Sequence, residues 1–214
     1  MAVKTLTSLI SAIAFRLGNR KGFDQKILFE LQFAQQRLEE DPTIQFWFLS
    51  ETTELELKAN EPFVDLPSDF LREYDTFEPY YIEGGETTFL KRLMLDEALR
   101  LFADAVGPPQ AYVLGDDDRL QIFPTPDQDR TITYKYVQEQ PELTLEPLVD
   151  TNVWTQNASQ LLMNKAGIAL TQGTQNKNAL ANFTNDFQTS WAELIARAVE
   201  REESNMDQQR GGPS

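Results

Sequence analysis

Neither cysteine nor histidine occurs among the 214 residues. Without thiols there is no disulfide and no thiolate metal site, a composition suited to assembly in the cytosol. Without imidazole the commonest general acid/base and the commonest metal ligand are both gone. Ser-His-Asp, Cys-His and His-zinc chemistry cannot be built within this chain. Carboxylates, lysine, tyrosine or an oxygen-ligated ion are what remain for chemistry. Long apolar runs are missing too: no stretch approaches the ~18 residues of a membrane span. The opening segment has an apolar run broken by Thr and Ser with Arg16 inside it, which is not the pattern of a signal peptide, so a soluble protein is expected. Basic residues are scarce, 19 against 34 acidic, for a formal charge of −15. So acidic a surface repels phosphate backbones and anionic membranes, although it leaves DNA free to slide past without adhering.

What is present suffices for a folded protein. Hydrophobic residues make up 41% and aromatics 11%, enough for one sizeable domain or two small ones. Leu6, Leu9, Ile10, Ile13 and Leu17 recur at helical spacing and predict a helix over 5–17, stopped by Gly18 and Asn19. Ile27, Leu31, Ala34 and Leu38 predict a second over 23–40, closed by Asp41-Pro42. The bunch from Phe46 to Leu49 reads as core filling. The period then drops to two: Thr53, Leu55 and Leu57 alternate with Glu54, Glu56 and Lys58, a half-buried strand. After a turn at 59–62, Phe63 to Leu66 reads as its return strand, and Ser68 or Asp69 as the cap of a helical turn carrying Phe70 and Leu71 inward. Residues 75–90 read as an aromatic, irregular connection turning at Gly84-Gly85. A third helix is expected over 91–105, stopped by Gly107-Pro108-Pro109. Short strands follow at 111–114, 120–123 and 131–136, and 141–147 leads out of the β part. Helices are expected over 152–171, capped by Asn152, and over 176–203, the latter with Phe183, Phe187, Trp191, Leu194 and Ala198 at helical spacing.

The expected architecture is α+β and mainly α. The N- and C-terminal helices form a bundle, a small antiparallel β module is inserted between them, and an extended C-terminal helix and tail follow. The corresponding regions are 1–50, 51–150, 151–199 and a polar arm over 200–214.

Few motifs point to chemistry. Asp116, Asp117 and Asp118 stand in a row, but calcium loops place ligands at alternating positions with a distant Glu. Gly115 before them and Arg119 after them, between apolar runs, mark a hairpin tip instead. With 34 acids some carboxylate pair always falls at a glycosidase separation, so that signal identifies nothing. Tyr134 and Tyr136, like Tyr80 and Tyr81, could stack on a ligand, but their spacing favours sheet packing. Gly84-Gly85 and Gly211-Gly212 lack a phosphate-binding pattern, and Trp154 and Trp191 sit on helical apolar stripes that read as core. No catalytic residue, cofactor or metal is expected. The polar tail SNMDQQRGGPS is expected to be disordered in isolation, a segment that either orders on a partner or persists because nothing selects against it.

The order of these pieces carries a resemblance. Two N-terminal helices, FVDLPSDFLRE at 63–73, RLQIFPTPDQDRTITYKYV at 119–137 read as a hairpin, and TNVW at 151–154 opening a helix pair are similar to the head-to-tail adaptors of tailed bacteriophages, the tail accessory factor type of short-tailed phages. The similarity covers roughly residues 5–200. It implies a ring, typically of twelve copies, beneath the portal protein in the virion neck, assembled in the host bacterial cytoplasm. Such a ring extends the channel for double-stranded DNA and makes the platform for the next tail or nozzle protein. It also implies that the C-terminal arm docks on the portal, with Arg201, Asn205, Met206, Gln209 and Arg210 as candidate contacts. A stopper-like neck connector, and a carboxylate-dependent cell-wall hydrolase, are the alternatives.

Overall fold

The computed structural model describes residues 4–19, 22–42, 46–146, 148–172 and 176–210, with the side chains of 202–210 excepted. The chain divides into two compact units: residues 1–48 together with 140–214, and residues 49–139.

The first unit is helical. Helix α1 (Leu6–Arg16) buries Leu6, Leu9, Ile10 and Ile13, the stripe its spacing demands. Thr5 caps it by accepting from the Ser8 amide, and Asp150 accepts from the amides of Leu6 and Thr7. These bonds satisfy donors that the first helical turn leaves open. Helix α2 (Asp24–Glu39) buries Ile27, Leu28, Leu31, Ala34 and Leu38.

Farther along the same unit, α4 (Val153–Asn157), α5 (Ser159–Gln172) and α6 (Lys177–Arg210) complete the helices. Asn152 closes a capping box with Thr155 at the start of α4. A single helix over 152–171 is not formed; the chain breaks at Ala158, which leaves helical geometry between α4 and α5. Helix α5 packs on α1, α2, α4 and α6. At Gly167 a Cβ would lie 2.4 Å from the buried Phe183 ring of α6, so only glycine permits this approach. Trp154 is fully buried and meets Phe46 and Phe48 edge-on.

Buried polar groups pin the segment after Gln140 to α2. The Gln35 amide donates to the carbonyls of Gln140 and Pro141. Asn152 Nδ2 donates to Gln35 Oε1 at 2.9 Å and to the Pro141 carbonyl at 3.0 Å. Trp154 Nε1 donates to the buried Glu39 carboxylate. Each of these interior polar atoms therefore has its partner, which is the condition for burying it.

The second unit is built from strands. β1 (Ser50–Leu57), β3 (Phe70–Glu73), β4 (Tyr80–Glu83), β5 (Glu86–Phe89) and β11 (Arg130–Gln138) form one sheet. Its centre is β11, which pairs from Arg130 to Val137 with β1, Leu55 opposite Ile132, and on its other side with β3 and β4. A second sheet holds β2 (Phe63–Asp65), β9 (Arg119–Phe123), β8 (Ala111–Leu114) and β6 (Lys91–Arg92). The sheets share one core, in which Leu55, Leu57, Ile132, Tyr134 and Tyr136 of the first meet Tyr112, Leu120 and Ile122 of the second. Strand alternation sends Ala111 and Val113 to the opposite face, where they pack with Phe123 under α3 (Leu95–Phe102). The short β7 (Val106–Gly107) and β10 (Thr125–Pro126) pair in parallel, and in the first unit β12 (Thr144–Leu145) pairs with β13 (Leu148–Val149).

The expected mainly α bundle with a small antiparallel module is thereby overturned. Thirteen strands in four sheets stand beside six α-helices among the described residues, and the pairs β6–β8 and β10–β7 are parallel. The strands missed are two to four residues long, too short for a period of two to register. Within residues 75–90, β4 and β5 form a hairpin around Gly84-Gly85, both at positive φ. Phe70 and Leu71 lie on β3, not on a helical turn, and 91–105 is helical only from Leu95 to Phe102. Phe63–Asp65 is no return strand to β1, because it pairs with β9 in the other sheet. Residues 119–137 are likewise no hairpin: β9 and β11 belong to different sheets, and β9 pairs with β8.

Candidate interaction surfaces

The aspartate run sits where a turn was expected. Gly115 donates to the Arg119 carbonyl across the tip joining β8 to β9, and Asp118 takes a left-handed φ of 54°. Of the run, Asp117 pairs with Arg119 at 3.6 Å, and Asp65 of β2 pairs with the same guanidinium at 2.8 Å. Among the described residues no group of three His, Cys, Asp or Glu is placed to hold a metal ion.

The tyrosines are interior. Tyr134 and Tyr136 are buried, donating to Glu73 and Asp69 respectively, and Tyr112 meets Tyr134 edge-on. Burial, reinforced by the Glu73 carboxylate, pushes the hydroxyls of Tyr112 and Tyr134 far above the ordinary tyrosine range. Burial does the same to Tyr136, with its bond to Asp69 adding to the effect. Glu73 is itself buried and pairs with Arg92 at 2.6 Å, at the edge of a polar hollow of about 300 Å³ that Lys91, Asp75 and Glu78 also line. This network ties β3, β6 and β11 together.

Three surfaces have the character of contact sites. The first is the far end of α6. Leu194 is the last fully buried side chain described on that helix, and beyond it Ile195 and Val199 are exposed one turn apart. The guanidinium groups of Arg197 and Arg201 lie 5.9 and 4.8 Å from the Trp47 ring centre. Arg201, a candidate portal contact, is exposed. Asn205, Met206, Gln209 and Arg210 lie on the last turns of α6, with their side chains outside the described residues. The helix itself runs to Arg210, seven residues past the end its periodicity predicts, so the polar arm over 200–210 has a helical backbone.

The second surface is a cleft of about 330 Å³ between α2, α5 and α6. Phe187 and Trp191 stack there at 6.0 Å, Leu38 and Gln188 line it, and Lys165 lies 5.4 Å from the Phe187 ring. Arg37 stands at the cleft over Phe33, which stacks on Phe29, both rings exposed. Trp191 and Phe187 are thus only half-buried, where helical spacing alone places them in the core. The repeat Phe29, Phe33, Arg37 at intervals of four, opposite the Ile27–Leu31–Leu38 stripe, is the sequence signal for this face.

The third surface is α3. Only Ala98 is fully buried, while Met94, Leu95, Leu99 and Leu101 are 78, 44, 47 and 63% exposed. A helix needs an apolar arc to seat itself, and here that arc is far wider than the strip the subunit covers.

No described helix is long and apolar enough to cross a membrane. No curated protein matches the sequence. The model of the SU10 adaptor protein family matches residues 4–211, which takes in every helix and strand from α1 to α6. With that match the chain belongs to the SU10 adaptor protein family, virion components that interact with other phage head and tail proteins.

Proposed function

We propose that this chain is the head-to-tail adaptor of a virion neck, twelve copies forming a ring beneath the portal protein. The ring continues the DNA channel and presents a platform to the next tail component. The observation that carries this reading is the family match along nearly the whole chain. The form of α6 supports it: 34 residues at about 1.5 Å each reach about 50 Å, more than twice the length of the 14-residue α5 it packs on. Residues 200–214 at its end, with Arg201, Asn205, Met206, Gln209 and Arg210, are the portal-docking arm. A head-to-tail contact that closes generates such a ring. A charge of −15 per copy makes the assembly strongly acidic, so that DNA in the lumen does not adhere.

The same charge opposes self-assembly, so the purified subunit is monomeric at ordinary concentration and joins its ring on the portal. Size-exclusion with light scattering, with and without portal protein, tests this; stable rings of the subunit alone contradict it. Deleting residues 200–214 leaves a folded subunit that no longer co-sediments with portal. Undiminished co-sedimentation overturns the arm assignment, and virion images without a ring of this chain at the portal vertex overturn the neck placement.

A further inference from the structure

Two of the exposed surfaces are complementary to each other. The cleft between α2, α5 and α6 is lined by the stacked rings of Phe187 and Trp191 and by two cations, Arg37 and Lys165, against one carboxylate, Asp41. In a chain with 34 acidic and 19 basic residues, an apolar hollow lined by more cations than carboxylates runs against the general surface. Helix α3 is its counterpart. Its exposed apolar residues are Met94, Leu95, Leu99 and Leu101, and Asp96 and Glu97 fill its first turn, with Arg100 as the opposing charge. Helical geometry puts Leu95 and Leu99 on one side of buried Ala98, and Met94 and Leu101 on the other. Asp96 therefore borders the Leu95–Leu99 edge and Glu97 the Met94–Leu101 edge, so each apolar edge carries a carboxylate beside it, which suits an apolar hollow lined by cations. The volume, about 330 Å³, sits at the small end of the range of roughly 300–1,000 Å³ for small-molecule sites. It suits a few leucine-sized side chains.

We infer that α3 of one copy docks in this cleft of the next copy, with Asp96 and Glu97 facing Arg37 and Lys165. The contact uses two different patches, so it is heterologous and propagates from copy to copy until it closes. For its place in the virion it rests on the ring reading above. Arg37 stacked on Phe33 and Lys165 over Phe187 are held ready by their rings, which reduces the side-chain freedom lost on docking.

The absence of native cysteine makes the contact directly readable. Full-length Leu99→Cys and Gln188→Cys variants, mixed at high concentration and treated with a short bis-maleimide, give cross-linked dimers well above the yield of either variant alone. Adding Arg37→Glu and Lys165→Glu to the Gln188→Cys copy lowers that excess by about fivefold, the scale of two exposed ion pairs. Adding Asp96→Lys and Glu97→Lys to the Leu99→Cys copy restores it. Tryptophan fluorescence and circular dichroism confirm that each variant is folded. Equal yields in mixed and single pools, or an excess indifferent to these charges, overturn the proposal. The reaction is read in solution, so its failure is separate from failure of the neck placement, which virion imaging decides.

Discussion

Replacing Asn152 by alanine tests whether the helical unit is held by its buried polar pin. The side chain has two tasks: its oxygen caps α4 by accepting from the amides of Trp154 and Thr155, and its Nδ2 donates to Gln35 Oε1 and the Pro141 carbonyl. Losing an N-cap costs about 1 kcal/mol. Losing the donor strands Gln35 Oε1 in a site only 4% exposed, at about 1–3 kcal/mol. The Pro141 carbonyl keeps its bond from Gln35 Nε2 and adds little. The sum is about 2–4 kcal/mol, a large part of the roughly 5–15 kcal/mol that holds a domain folded. Serine at 152 keeps a cap but cannot reach Gln35, so Asn152→Ser falls between wild type and Asn152→Ala. All three tryptophans, Trp47, Trp154 and Trp191, lie in this unit, so their fluorescence in urea follows it without the β unit. The midpoint should fall with the slope unchanged. A loss below about 0.5 kcal/mol for Asn152→Ala would refute the pin as a source of stability.

The same fluorescence transition should show Gly167→Ala destabilised by about 1–3 kcal/mol, because the new methyl meets the Phe183 ring and both helices must shift to admit it; a neutral result would mean that the ring moves freely. The β unit answers to alkali. All six tyrosines lie in it, and Tyr112, Tyr134 and Tyr136 have folded-state values raised above the ordinary one. A raised value favours the protonated fold, so its stability is intact below about pH 10 and declines as pH climbs past that ordinary tyrosine value. Tyrosinate absorbance should therefore rise late, together with loss of strand dichroism, while urea-unfolded protein titrates early; a simple titration that leaves the strands intact would contradict the buried hydroxyl network.

Much of the helical unit was legible because its residues follow one rule over long spans. Leu6, Leu9, Ile10 and Ile13 can all be buried only on a helix, and α1 buries all four. Asn152 was recognisable as a cap from its place before an apolar run. The β unit was harder. Three-residue β2 has no period to display, and its partner β9 lies more than fifty residues along the chain, so only the tertiary pairing could say that Phe63 faces Gln121. The contact surfaces escaped for a related reason. Helical spacing puts Leu95, Ala98 and Phe102 on one inward stripe, and the fold covers Ala98 and part of Phe102; that Leu95 stays exposed depends on how little of α3 the sheet beneath it covers.

Composition and local periodicity thus decided which chemistries this chain can host, where its long helices run and which of their faces seek cover. Those are properties of residue type and of neighbours three or four positions away. Which strands pair, which aromatic rings are sealed in and which stand open to a partner was left to the folded chain, because burial is a relation between residues far apart in sequence. Trp154 and Trp191 read alike on their helices, yet the fold encloses the first and leaves the second lining a cleft.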